Sequence, residues 1–190
     1  QQLALRSYDN GIVDETVASP LDSRLFAIFV HHAPGQAVSL STLRALQALR
    51  SLDVNVVFVA NHDIGADERA RVLSLVHSVL VRDNQGFDFG AYKDVIAWLR
   101  AGDHRVERLV LVNDSVFFGQ SGLVDMFSSL LGPEDVVAAH ENWGEDHHLQ
   151  SFLLSMSGGV LEHASVRSFW DNYVPVANRI HAIESGEKEL

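Results

Sequence analysis

Short, unbroken apolar runs alternate along this chain with longer stretches in which an aliphatic residue returns every third or fourth position. RLFAIFV (24–30), VNVVFVA (54–60), VLVRD (79–83) and RLVLVND (108–114) are of the first kind. They are β-branched, bounded by polar residues and read as strands buried on both faces. SLSTLRALQALRSL is of the second kind, with Leu40, Leu43, Leu46 and Leu49 behind a Ser39 or Ser41 cap, and reads as an amphipathic helix. DERARVLSLVHS (67–78) and AYKDVIAWLRAG, the latter closed by Gly102, read as further helices. Beyond them the pattern predicts a helix near 122–131, a strand over DVVAAH (135–140), a polar segment ENWGEDHH, an apolar run LQSFLLSMS and a helix around ASVRSFWDNYV. Residues 1–22 show no sustained period and read as a lead-in segment.

Strands and helices alternating at this length predict an α/β fold with a mostly parallel central sheet and helices on both faces. In such sheets ligands bind beyond the carboxyl ends of the strands. No repeat, low-complexity tract or second boundary interrupts the alternation, so residues 1–190 read as one domain.

Composition narrows the function classes. The chain has 190 residues, 47% of them hydrophobic, which is enough for one sizeable core. Its formal charge of −11, without any Lys/Arg-rich run, argues against a nucleic-acid partner. With no cysteine, thiolate nucleophiles and Cys-ligated metals are excluded. No apolar segment reaches the roughly 18–20 residues that span a bilayer, and QQLALRSYDNG lacks the order of a signal peptide. The missing initiator Met and the polar ESGEKEL end lead us to expect a piece of a longer polypeptide with other domains.

Three polar clusters fall where ligands are expected. In RDNQGFDFGAYKD a strand hands over to a helix through Asn84, Gly86, Asp88 and Gly90. Glycines there permit positive φ or a close backbone approach, and Asp88 can accept hydroxyls or face a cation. The same residues also suit a tight loop in which Asn and Asp satisfy their own backbone. Neither a dinucleotide fingerprint nor a Walker A spacing is present. Asn113-Asp114-Ser115 ends the most strand-like run, where oxygen ligands suit Mg²⁺ or Mn²⁺, or an Asp caps the next turn. HENWGEDHHLQS (140–151) brings Glu141, Glu145, Asp146, His147 and His148 together, able to supply a general base or to form a solvated acidic loop. A zinc site from His140, His147 and His148 does not follow a known ligand spacing. His31 and His32, after the first predicted strand, are placed to touch a nucleobase or ribose or to serve the structure, and Phe87 and Trp143 are aromatics inside polar loops.

In their order, RDNQGFDFGAYKD, LVNDSVFFG and HHLQSFLLSMSGGVLEHASVRSFWDNY resemble the rhamnan synthesis protein F family of bacterial polysaccharide glycosyltransferases, over roughly residues 24 to 184. The resemblance implies a Rossmann-like GT-A fold and transfer of a sugar, rhamnose from dTDP-rhamnose foremost, to a glycan or lipid-linked glycan acceptor. It implies a donor site of Asn84, Gly86, Asp88, Gly90, Tyr92, Asn113, Asp114 and Ser115, to which His31 is added from its place after the first predicted strand. Asp114 would be the ligand of Mg²⁺ or Mn²⁺, with a single carboxylate where a D-x-D motif has two. His148, Gln150 and Ser151 would meet the acceptor or the sugar. If the reaction inverts, Glu145 or Asp146 takes the acceptor proton, with Glu141 behind them. Cytoplasmic placement, peripheral at the inner membrane face, follows from the same resemblance. The alternative is a catalytically silent nucleotide- or carbohydrate-binding module of a larger assembly protein; a metal-dependent hydrolase would need paired carboxylates at strand ends, which the sequence does not show.

Overall fold

A computed structural model describes residues 10–143, 147–176, 178 and 183–190. Its centre is a seven-stranded sheet of β1 (Ile12–Val17), β2 (Leu25–His31), β3 (Asn55–Ala60), β4 (Ser78–Arg82), β5 (Arg108–Asn113), β6 (Val136–Ala138) and β9 (Leu153–Ser157), in the order β1-β4-β3-β2-β5-β9-β6. A two-stranded ribbon, β7 (Glu141–Asn142) and β8 (His148–Leu149), lies apart from it. The strands β4, β3, β2 and β5 are parallel, while β1 and β9 run antiparallel to their neighbours. The sheet is therefore mixed about a parallel centre.

The continuous apolar runs of the central strands serve two cores. On β2, Phe26, Ile28 and Val30 face one side and Ala27 and Phe29 the other. The Phe29 side packs with α1 (Leu40–Ser51), α2 (Ala66–Leu73) and α4 (Leu123–Leu130). The Ile28 side packs with α3 (Phe87–Ala101), the short α5 (Gly158–Leu161) and α6 (Ala164–Asn172). Ser39 caps α1 by accepting from Thr42 N–H, worth about 1 kcal/mol for caps of this kind. At the other end of α3, Gly102 is the C-cap, but the left-handed residue is Asp103, with φ 54°.

Several elements differ from the sequence pattern. The lead-in contains β1, an edge strand whose exposed Val13, Asp14 and Glu15 hide the alternation that marks a half-buried strand. The predicted helix at 67–78 stops at Leu73, because Val76 turns into the core and His77 accepts a hydrogen bond from Val56 N–H at 3.0 Å. α3 starts at Phe87, so Asp88 and Gly90 belong to its first turn rather than to the loop. The run DVVAAH pairs only over Val136–Ala138.

Candidate functional site

From β2 the chain moves outward through β3 to β4, then α3 carries it across one sheet face to β5, on the other flank of β2. The direction of travel reverses between β2 and β5, and their carboxyl ends form the place where open α/β sheets hold ligands. A cleft of about 890 Å³ opens there. Asn84, Asp88, Asn113, Asp114, Ser115, Gln150 and Ser151 all line it, so parts of the three sequence clusters meet at one site.

The geometry is set by side chains that hold one another. Asn113, 3% exposed, donates from Nδ2 to Asp88 Oδ2 at 2.8 Å and accepts Ser115 N–H on Oδ1 at 3.0 Å. It thus closes its own turn and fixes the Asp88 carboxylate with the same amide. His31, at the end of β2 and 2% exposed, contacts Asp114 Oδ2 through Nδ1 at 2.5 Å. His31 does not line the cleft; it stands behind Asp114. The His31 ring lies 5.2 Å from that of His62, which is 5.8 Å from that of His32. Burial first, then His31 and His32, push the His62 imidazole below its ordinary pKa against the opposing pull of Asp114 and Asp63.

Beneath this rim lies a buried ion pair absent from the sequence reading. Arg82 Nε meets Asp94 Oδ2 at 2.9 Å, with side chains 0% and 2% exposed. The guanidinium also donates to Gln85 O at 2.8 Å and to Asn61 Oδ1 at 3.0 Å, and Asp94 accepts Gly11 N–H at 3.1 Å. Arg82 therefore ties β1, the end of β3 and the turn before α3 together. Asn61 and His62 open the NHD tripeptide right after β3, the same change from apolar run to polar residues that marked Asn113, and that signal could have found them.

Some predicted site residues have other work. Gly86 has φ +74°, and a Cβ there would come within 2.5 Å of Pro175 Cβ. A Cβ on Gly90 would lie 2.2 Å from Gln85 O. Both glycines let the turn close onto α3, and neither lines the cleft. Tyr92 is 0% exposed and donates its hydroxyl to Ser151 O at 3.2 Å, so it supports the third cluster from inside the core rather than facing a donor. His148 lines a separate, mostly apolar cavity of about 250 Å³, which shares Phe89 and Ser151 with the main cleft. Glu141 is exposed on β7, outside the cleft wall. Hydrogen bonds from Trp143 and then His147 hold its carboxyl below the usual range, and the His147 contact measures 3.1 Å. Glu145 and Asp146 lie outside the described residues.

No Lys or Arg lines the cleft among the described residues. Nor do the described residues hold a group of three or more His, Asp or Glu side chains arranged around a cation. Asp114 offers one carboxylate with one oxygen already on His31, which does not make a preformed Mg²⁺ or Mn²⁺ centre. Among the described residues no helix is long and apolar enough to cross a membrane.

Residues 56–190 match the family described as "Rhamnan synthesis protein F". The chain is also 26% identical over 181 residues to "Uncharacterized protein y4gN" of Sinorhizobium fredii (strain NBRC 101917 / NGR234), an alignment covering 90% of this chain and 46% of that protein. The chain thus spans about half the length of this curated relative. No solved structure matches it.

Proposed function

Because the chain belongs to the rhamnan synthesis protein F family, whose name places it in polysaccharide synthesis, we propose that it is a glycosyltransferase domain with a GT-A-like sheet. It moves a sugar from a nucleotide-sugar donor to a growing glycan or lipid-linked glycan. The observation that carries this reading is the convergence of Asp88, Asn113, Asp114 and Gln150 on one cleft at the reversal between β2 and β5. Within the family's chemistry, dTDP-rhamnose is the donor proposed first, used at the cytoplasmic face of the membrane.

In the transfer, the bond between the anomeric carbon and the diphosphate oxygen breaks, and the electron pair leaves with the nucleoside diphosphate. The acceptor hydroxyl oxygen bonds to that carbon and gives its proton to a carboxylate. Asp88 and Asp114, each with an oxygen fixed by Asn113 or His31, are oriented to receive sugar hydroxyls. Glu145 or Asp146 takes this proton; Glu141 pairs with His147 and does not line the cleft. With no Lys or Arg on the wall among the described residues, the leaving diphosphate is met by N–H donors, including those of the first turn of α3 that Phe87 and Asp88 bring to the cleft.

Titration calorimetry with dTDP-, UDP- and GDP-sugars, with and without EDTA, tests the proposal. Saturable binding of one donor with slow release of its nucleoside diphosphate is expected. Asp88→Ala and Asp114→Ala should abolish turnover while leaving the melting temperature within a few degrees. Binding without turnover for any acceptor would favour the silent binding module, and no binding at millimolar donor would overturn both readings.

A further inference from the structure

The buried Arg82 side chain dictates more than loop shape, because a guanidinium can only donate hydrogen bonds. Its Nη1 meets Asn61 Oδ1 at 3.0 Å, so the oxygen of that amide must face Arg82. The Asn61 nitrogen is thereby turned the other way and donates to Asn84 Oδ1 at 3.1 Å. That contact engages the oxygen of Asn84 and leaves its nitrogen facing His32 Nε2 at 3.4 Å. The His32 ring is set from the opposite end. Its Nδ1 sits 2.8 Å from the Asn61 backbone carbonyl, which accepts only, so Nδ1 carries the hydrogen and Nε2 of the neutral ring accepts.

Every link agrees in direction, from the core outward. Asn61 is 2% exposed and anchored by its own N–H to His31 O at 2.8 Å, so its amide has nowhere to rotate without breaking several bonds. Asn84, half-buried, lines the cleft. An Asn amide has two protons; His32 takes one, and the other has no acceptor among the described residues. In a cleft wall without Lys or Arg among the described residues, that outward N–H is a donor for an anionic oxygen.

We infer that Asn61, locked by Arg82, is a positioning residue that fixes the hydrogen-bond polarity of the cleft rim, so that Asn84 presents an N–H to a phosphate oxygen of the bound nucleotide. The inference rests on the reading that the cleft takes a nucleoside diphosphate. The relay makes a claim that simple packing does not: Asn61 acts on the ligand only through Asn84.

A double-mutant cycle read by dTDP affinity tests this. Asn84→Ala and Asn61→Leu should each weaken dTDP binding about tenfold, and the double variant should bind no more weakly than Asn84→Ala alone. Asn61→Ser, smaller and polar, serves in place of Asn61→Leu should the latter not fold by circular dichroism. Additive losses, or an Asn84→Ala variant that binds as the parent does, would overturn the relay. The ligand-free protein supplies an independent reading. In ¹⁵N-labelled protein the Asn84 side-chain amide protons should show cross-relaxation to the His32 ring, and contacts to the Asn61 side-chain amide instead would refute the polarity. If the parent fails to bind dTDP while the Asn84–His32 contacts are present, the nucleotide reading falls and the relay's geometry stands.

Discussion

Replacing Arg82 with Met removes one partner of a fully buried ion pair while roughly keeping side-chain length. Arg82 and Asp94 are 0% and 2% exposed and 2.9 Å apart, so water cannot take over for the lost charge. Breaking a pair of this kind by deleting one member costs about 3–5 kcal/mol, because the remaining carboxylate stays buried. Asp94 keeps a hydrogen bond from Gly11 N–H, while Gln85 O and Asn61 Oδ1 lose their guanidinium donor, which argues for the upper half of that range. For a domain of this length each kcal/mol lowers the melting temperature by about 2–4 °C. Arg82→Met should therefore melt about 8–20 °C below the parent, followed by circular dichroism at 222 nm. Arg82→Lys retains the charge but not the fork that reaches Gln85 O and Asn61 Oδ1 together, and should recover roughly half of the loss. A fall of less than about 3 °C for Arg82→Met would refute the argument that this pair knits β1, β3 and the α3 turn together.

Two further outcomes can be measured on the same protein. Gly90→Ala sets a Cβ 2.2 Å from Gln85 O, a backbone atom that must shift; destabilisation on the order of 1–3 kcal/mol by urea unfolding is expected, together with weaker donor binding. Burial pushes the Tyr173 phenol from 10.0 up to about 12. The folded state therefore holds that proton more tightly than the unfolded chain, and the stability this contributes is whole below about pH 10 and lost as pH rises through 12. Urea midpoints should fall across that window by an amount on the order of 2–3 kcal/mol, and Tyr173→Phe should flatten the slope; an unchanged slope would remove Tyr173 as its source.

The central sheet was legible because β2, β3, β4 and β5 bury both faces and so appear as unbroken apolar runs. Strand direction was not: the run that becomes β9 is as apolar as its neighbours, and only pairing with β5 shows it to be antiparallel. β1 escaped notice since an edge strand with solvent on most side chains carries no period-two signal. At the site, Asp88 and Asp114 stood out as carboxylates next to apolar runs, and both line the cleft. Tyr92 and Gly90 looked similar by adjacency, yet Tyr92 lies one turn further along α3, where the helix is already in the core, and Gly90 abuts the Gln85 carbonyl. Arg82 stands beside Asp83 at the end of VLVRD and nothing in that run singles it out, because its partners Asp94, Asn61 and Gly11 come from segments that only the fold brings together.

The antiparallel first strand has a practical bearing on how the domain can be trimmed. β1 covers the flank of β4 over the register Ile12↔Arg82 to Val17↔Ser78, and the residue before it supplies the Gly11 N–H that Asp94 accepts. A shortened chain starting at the first apolar run would leave β4 as a bare, valine-rich border open to pairing with other copies, and would strip one donor from a buried carboxylate. Solubility and the proposed nucleotide affinity would then decline together, from a cut made far from the cleft in sequence.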